Sequence, residues 1–193
     1  TFTDLYYEGK TNKGNPDLKP EESEAFEVGL KYNTYFLRAH IAGFYRKGKN
    51  MIDWVKEKPE DIWESQNLTK VDNLGFETNL SLLPRELGNE RFFIRKIELG
   101  YAFIHQDKDS EGYISNYALD YLKHKFTAQL SHSIWKGFSA TWYVRWQDRA
   151  GSYTKYENLK PAYEEPYSPY CLVDMKVNWE YQRLNLYAEL NNL

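Results

Sequence analysis

The chain has 193 residues, with 25 basic against 28 acidic side chains and a net charge of −3. No cationic excess exists to neutralise phosphates, so a general nucleic-acid binder is excluded. The single cysteine, Cys171, excludes an internal disulfide framework, and no apolar run approaches the length of a transmembrane helix. Aromatic residues reach 17%, with 17 Tyr, 10 Phe and 6 Trp; this suits a sheet protein, a ligand surface or a barrel with aromatic girdles. A mean hydropathy of −0.76 excludes a helical membrane protein but not a transmembrane barrel, in which only every second strand residue faces lipid. The first residue is not Met and no signal peptide is visible, which is read here as the mark of a fragment.

Alternation with period two recurs eight times. In chain order, residues 24–32 set Phe26, Val28 and Leu30 against Glu27, Gly29 and Lys31. Residues 35–46 set Leu37, Ala39, Ile41 and Tyr45 against Arg38, His40 and Arg46. Residues 71–83 oppose Leu74, Phe76, Leu80 and Leu82 to Glu77, Asn79 and Ser81, and residues 91–106 oppose Ile97, Leu99, Tyr101 and Phe103 to Lys96, Glu98 and Gly100. Residues 121–134 place Leu122, Phe126, Ala128, Leu130 and Ile134 opposite Lys123, Lys125, Thr127, Gln129, Ser131 and Ser133, with His124 and His132 near the two ends of the oily side. Residues 137–149 place Phe138, Ala140, Trp142, Val144 and Trp146 opposite Ser139, Thr141, Tyr143, Arg145, Gln147 and Arg149. Residues 170–179 and 183–193 close the series, with Cys171, Val173, Met175 and Val177, then Leu184, Leu186, Ala188 and Leu190, on the oily side. Successive side chains of a strand point to opposite faces, so each segment has one oily and one wet surface.

The connections alternate as well. Asn33-Thr34, Trp135-Lys136 and Glu180-Tyr181-Gln182 read as tight turns, and Pro84 to Glu90 as a slightly longer one. Between them lie long polar and aromatic connections at 47–70, 107–120 and 150–169. Short turns at one end and long loops at the other is the asymmetry of outer-membrane barrels, with the long loops extracellular. Strand length, aromatics near strand ends (Tyr32, Tyr35, Tyr45, Trp135, Trp146 and Trp179) and the many charges on the wet faces favour lipid. A soluble β-sandwich alternates in the same way, so pattern alone leaves both solvents open.

No nucleophile elbow, phosphate loop or zinc spacing occurs. Asp107-Lys108-Asp109-Ser110-Glu111-Gly112 begins like a calcium loop, but the twelfth position is Ala118 where a Glu is needed, so it reads as a solvated loop. The histidines His40, His105, His124 and His132 form no ligand cluster, and Cys171 reads as a small apolar residue. No catalytic residue, metal site or cofactor is expected. The candidate ligand contacts are loop aromatics whose rings could stack on a cargo: Trp54, Trp63, Tyr113, Tyr117, Tyr153 and Tyr156, with Tyr163 beside them. Loop packing is the plain alternative for each. Arg145, Arg149, Lys123 and Lys125 read as wet-face cations that either pair across strands or meet an anion.

Gly14-Asn15-Pro16-Asp17-Leu18-Lys19-Pro20-Glu21 resembles the GNP-x-LKPE segment of TonB-dependent outer-membrane receptors, which precedes a strand like Phe26-Glu27-Val28-Gly29-Leu30. Asn73-Leu74-Gly75-Phe76-Glu77 resembles the N-x-G-x-E strand that re-enters after a long loop, and Tyr187 to Leu193 resembles the penultimate barrel strand. The resemblance implies an all-β, antiparallel up-and-down meander of about eight strands, roughly the fourteenth to the twenty-first of a 22-stranded transmembrane β-barrel. It implies that residues 1–193 are the C-terminal portion of that barrel, with the plug domain and the final strand absent. Open edges do not survive in hydrocarbon, so such a piece should transport nothing by itself. The implied parent is an outer-membrane active transporter of a Gram-negative bacterium that takes up a scarce nutrient, siderophore-iron or cobalamin, powered by the TonB system through the plug. Its implied partners are outer-membrane lipid, the TonB complex and that small ligand. The rival readings are a passive outer-membrane pore and a soluble aromatic-rich ligand-binding β domain.

Overall fold

The alternation is realised as a single sheet. The computed structural model describes residues 1–58, 60–88, 91–109, 112–115, 121–157 and 160–193. Its elements are a short helix α1 (Phe2–Tyr6) and strands β1 (Asn12–Lys13), β2 (Glu22–Asn33), β3 (Leu37–Lys56), β4 (Trp63–Leu82), β5 (Ile94–Asp109), β6 (Ile114–Ser115), β7 (Leu122–Ser133), β8 (Phe138–Arg149), β9 (Ser152–Glu157), β10 (Lys160–Pro166), β11 (Tyr170–Tyr181) and β12 (Leu184–Leu190). Eight of these pair in the order β12-β11-β8-β7-β5-β4-β3-β2, every neighbouring pair antiparallel. All eight predicted strands are present, as an open meander and not a closed barrel.

The register converts single-strand alternation into continuous rows. Leu30, Ile41, Thr78, Tyr101, Phe126, Trp146 and Cys171 lie side by side across seven strands. The next row is Tyr32, Ala39, Leu80, Leu99, Ala128, Val144 and Val173. On the other face, Arg38, Ser81, Glu98, Gln129, Tyr143 and Asp174 form an equally continuous polar row. Side chains of the oily rows remain open, with Val28 77% and Leu30 75% exposed. Soluble monomers rarely leave an apolar patch larger than a few hundred Å² uncovered. Among the described residues the oily face meets no second layer, so the closed core required of a soluble sandwich is not formed.

The short turns follow their residues. Thr34 caps its turn with its hydroxyl, which accepts from the Leu37 N–H at 2.9 Å. Between β7 and β8, Lys136 and Gly137 adopt φ of 41° and 86°; a Cβ at Gly137 would strike the Glu180 carbonyl oxygen of the adjoining turn. Only glycine combines left-handed backbone with that approach.

At the opposite end the structure departs from the predicted loops. The spacing ends two strands near residues 46 and 71, yet β3 and β4 stay paired out to Val55 and Glu64, as a finger beyond the oily band. The buried residues concentrate there: Asp53 is 2%, Trp54 7%, Val55 1%, Ser65 0% and Val71 7% exposed. The N-terminal segment lies on Trp54 and Ser65, and β6 lies beside Val55 and Asp53. Ser65 donates its hydroxyl to the Asp4 carbonyl and the Trp54 indole N–H donates to Asp4 Oδ1 at 3.1 Å, while β1 pairs in parallel with β4 through Asn12 and Trp63. A two-stranded ribbon is marginal in water; this one persists because a third segment lies on it.

The residues 14–21 are the fastening. A Cβ at Gly14 would sit 2.9 Å from the Asp4 carbonyl oxygen. The Asn15 N–H donates to that same oxygen at 2.8 Å, and the Asn15 side chain accepts from the Asp17 N–H at 2.9 Å. The Lys19 N–H donates to Asn67 Oδ1 at 2.8 Å, and Asn67 Nδ2 donates to the carbonyls of Lys19 at 3.0 Å and Asn50 at 2.6 Å. Glu21 Oε1 accepts from the Ile52 N–H at 2.8 Å. The motif thus ties the chain before β2 to the finger.

Candidate functional site

The aromatic candidates separate into two groups. At the fingertip, the Lys56 ammonium lies 4.6 Å from the centroid of the Trp63 ring. Tyr113 reaches the same tip because β6 folds back to pair with β3, Ser115 opposite Val55 and Ile114 opposite Lys56. Ser115 also donates its hydroxyl to buried Asp53. Tyr113 lines a cavity of about 260 Å³ with Lys56, Glu57, Asp61 and Glu64, a predominantly acidic setting. Trp54 belongs to the finger's interior, where its indole serves Asp4. Tyr117 lies outside the described residues, as do Ser110, Glu111 and Ala118 of the calcium-like loop.

The second group stands on the hairpin β9–β10, paired only with itself and leaving the sheet between β8 and β11. Cross-strand pairing sets Tyr153 opposite Glu165 and Lys155 opposite Tyr163, and a bulge separates that face from the pair Tyr156 and Pro161. Tyr153, Tyr156 and Tyr163 are 44%, 64% and 50% exposed. Lys155 pairs with Glu165 at 3.1 Å and lies 5.3 Å from the Tyr163 centroid. At the hairpin's base, Arg149 stands 5.1 Å over the Tyr167 ring, which packs 5.6 Å from Tyr153. The Lys155 ammonium, and next the Tyr153 hydroxyl, hold the Glu165 carboxyl below the ordinary glutamate range. The same contacts, Tyr163 first and Glu165 second, hold the Lys155 ammonium above the ordinary lysine range. One hairpin face therefore alternates rings and charges, suited to a ligand with both a flat surface and polar groups.

The two groups do not meet side by side: β5 and β7 lie between their parent strands in the sheet. Residue type marked the tyrosines in the sequence. It did not mark Lys155, Glu165 and Tyr167, although the i, i+2 spacing of Tyr153 with Lys155 and of Tyr163 with Glu165 carried that signal, and it marked Arg149 only as a wet-face cation.

Between the two ends, the polar face forms a trough of about 550 Å³ spanning seven strands, with Lys31, Arg38, His40, Glu98, Arg145 and Asp174 among its walls. Arg145 faces Asp174 at 3.9 Å, and both remain partly exposed. Such a contact contributes at most about 1 kcal/mol, so the trough's cations stay available to a further partner. Lys123 and Lys125 are exposed cations of the polar face. No group of three or more potential metal ligands occurs among the described residues. On the oily face, His124 and His132 are held by ring neighbours, with the Tyr101 hydroxyl at 2.8 Å from His124 Nδ1 and the Trp142 indole donating to His132 Nε2 at 3.2 Å.

A family model described as TonB-dependent receptor-like, β-barrel, matches residues 1–193. The chain is 29% identical over 118 residues to a vitamin B12 transporter, BtuB, of Vibrio vulnificus, covering 54% of this chain and 19% of the relative. To the vitamin B12 transporter of Photobacterium profundum it is 27% identical over 146 residues, covering 72% of this chain and 23% of the relative. The chain thus spans about a fifth of the length of these relatives. A mutant of the ferric enterobactin receptor PfeA of Pseudomonas aeruginosa, solved with enterobactin, superimposes with a TM-score of 0.68 at 20% identity over 94% of this chain and 27% of its own. The copper transporter OprC superimposes with a TM-score of 0.66 at 16% identity, covering 95% of this chain and 27% of its own. The relatives named are transporters and receptors, and the fold they share is an antiparallel barrel. With one oily and one wet face carried through eight paired strands and a family match over its whole length, this chain belongs to the TonB-dependent receptor-like β-barrel family.

Proposed function

We propose that residues 1–193 form the C-terminal part of the wall of an active transporter in the outer membrane of a Gram-negative bacterium. The transporter binds a scarce nutrient at its outer loops and releases it inward when the TonB system acts on a plug domain. The observation that supports this reading is the two-faced sheet: apolar rows carried across the strands on one face, and on the other a charged trough of about 550 Å³. The cargo is a cobalamin or a ferric siderophore, the classes named for its relatives. Of the aromatic candidates, Tyr153 and Tyr156 on the exposed hairpin and the half-buried Trp63 and Tyr113 at the fingertip contact it; Trp54 acts by holding the finger in shape.

The test is made on the full-length protein in detergent, by thermal shift and equilibrium binding against cobalamin and a panel of ferric siderophores, followed by uptake in cells with and without TonB. Saturable binding of one of these cargoes and TonB-dependent uptake are expected. Steady ion conductance in planar bilayers with no saturable ligand would identify a passive pore instead.

A further inference from the structure

The oily face is interrupted by a cleft at its short-turn end. Phe138, Val177, Trp179, Leu186, Tyr187 and Ala188 line a depression of about 320 Å³ across β8, β11 and β12. Register explains it: Phe138, Trp179 and Leu186 are direct cross-strand partners in one row, and Val177 and Ala188 are partners in the next. The rings of Phe138 and Trp179 stack at 5.9 Å and 27°, and those of Trp179 and Tyr181 at 5.8 Å and 5°. The aromatic surface therefore climbs from the apolar band to the turn without a polar break.

The two turns above the cleft are neighbours, since the Glu180 N–H donates to the Gly137 carbonyl at 3.1 Å. Their crests carry Lys136 (φ 41°) and, beside Gln182 (φ 50°), Arg183. Lys136 Nζ sits 4.5 Å from the centroid of the exposed Trp135 ring. The carboxylate on these turns, Glu180, is engaged by the Asn178 amide at 3.1 Å. Cations over an aromatic ramp that ends in an apolar cleft match an amphipathic molecule with an anionic head and a hydrocarbon tail.

We propose that this cleft seats an acyl chain of an anionic phospholipid in the inner leaflet, with Lys136 and Arg183 holding its headgroup phosphate. The proposal rests on the reading that the oily face lies in a bilayer with the short turns inward. Charge complementarity selects an anionic lipid over a zwitterionic one, because the two turns carry two cations, Lys136 and Arg183, against the one carboxylate of Glu180.

The experiment uses the full-length protein reconstituted in phosphatidylethanolamine vesicles containing a minor fraction of phosphatidylglycerol, with one lipid or the other brominated in its acyl chains to quench nearby indoles. At matched mole fraction, brominated phosphatidylglycerol quenches more than brominated phosphatidylethanolamine. Trp179→Phe removes that excess by removing the reporter. Lys136→Gln with Arg183→Gln weakens the preference by about 25-fold, at roughly fivefold for each basic residue near a membrane surface, while Lys136→Arg with Arg183→Lys retains it. Equal quenching by the two lipids, or a preference that survives removal of both cations, overturns the proposal and leaves the membrane reading intact. Protein left in the aqueous phase after vesicle flotation overturns the membrane reading itself.

Discussion

Replacing Asn67 with alanine tests how the outer end is held together. Its carboxamide makes three hydrogen bonds, accepting from the Lys19 N–H and donating to the Lys19 and Asn50 carbonyls. Two of these join residues 48 apart in sequence. A net value of about 0.5–1.5 kcal/mol for each of the three hydrogen bonds, about 1.5–4.5 kcal/mol together, discounted by about a third because the site is only partly buried, gives about 1–3 kcal/mol for the fastening. This is a local free energy. Hydrogen exchange of the full-length protein in detergent reads it directly, through the Lys19 amide and the amides of residues 10–21. Their protection should fall roughly 5- to 150-fold in Asn67→Ala, the factor that about 1–3 kcal/mol represents. Amides of β7 and β8, which make no contact with this segment, should exchange as before. Asn67→Asp keeps an acceptor for the Lys19 N–H but sets a carboxylate oxygen against the Lys19 and Asn50 carbonyls, so it should not restore the protection lost in Asn67→Ala. Unchanged Lys19 protection in Asn67→Ala would refute the argument that residues 14–21 are tied to the finger by this side chain.

The hairpin gives a pH prediction. Glu165 is held below the ordinary glutamate range by Lys155 and Tyr153, so the contribution of the pair is complete above that range and is lost as pH falls through the depressed Glu165 value; carboxyl-carbon NMR should show Glu165 titrating below the ordinary glutamate range, and a midpoint within or above that range contradicts the pairing. Among the aromatics, Tyr156→Ala should weaken cargo binding about 2- to 10-fold with the fold unchanged, on the scale of one ring contact. Trp54→Ala should instead cost the finger about 3–5 kcal/mol, seen as faster proteolysis of residues 47–70, and an equal effect of both variants on binding alone would contradict the buried placement of Trp54. Val144→Arg, in the middle of an oily row, should lower the free energy of folding into bilayers by about 2–4 kcal/mol, whereas Thr127→Lys on the polar face should change it little; equal penalties in a denaturant titration would mean that the faces are misassigned.

The wall was legible in the sequence because a strand's side-chain period is local. Residues 121–134 and 137–149 alternate without interruption, and β7 and β8 fall within a residue of those limits. The finger was not legible for the complementary reason. Lys47-Gly48-Lys49-Asn50 breaks the alternation, and the pairing beyond it depends on Asp4, Gly14 and Lys19, residues remote along the chain whose contact no local pattern encodes. Residues 150–169 read as a long polar and aromatic connection, yet they hold a two-stranded ribbon that accommodates Pro161 and Pro166, which disfavour a sheet interior, with a bulge between Pro161 and Tyr163. The candidate aromatics show the same division. Chemical type alone could nominate Trp54 and Tyr156 equally, but burial by a distant segment separates them, leaving one 7% and the other 64% exposed.

The rows of the sheet have a consequence for how the wall is assembled. The irregularities in pairing along β7 fall at its ends, between Ile94 and Lys96 and between Leu122 and His124. Parity is therefore unbroken through the middle, and a slip of one residue at β7 turns the whole strand over. Lys125, Thr127 and Gln129 would then stand in hydrocarbon where Phe126, Ala128 and Leu130 belong. A lysine alone in that position costs about 2–4 kcal/mol, and the error cannot be shared out along the strand. Mispairing of β7 is therefore penalised as a unit.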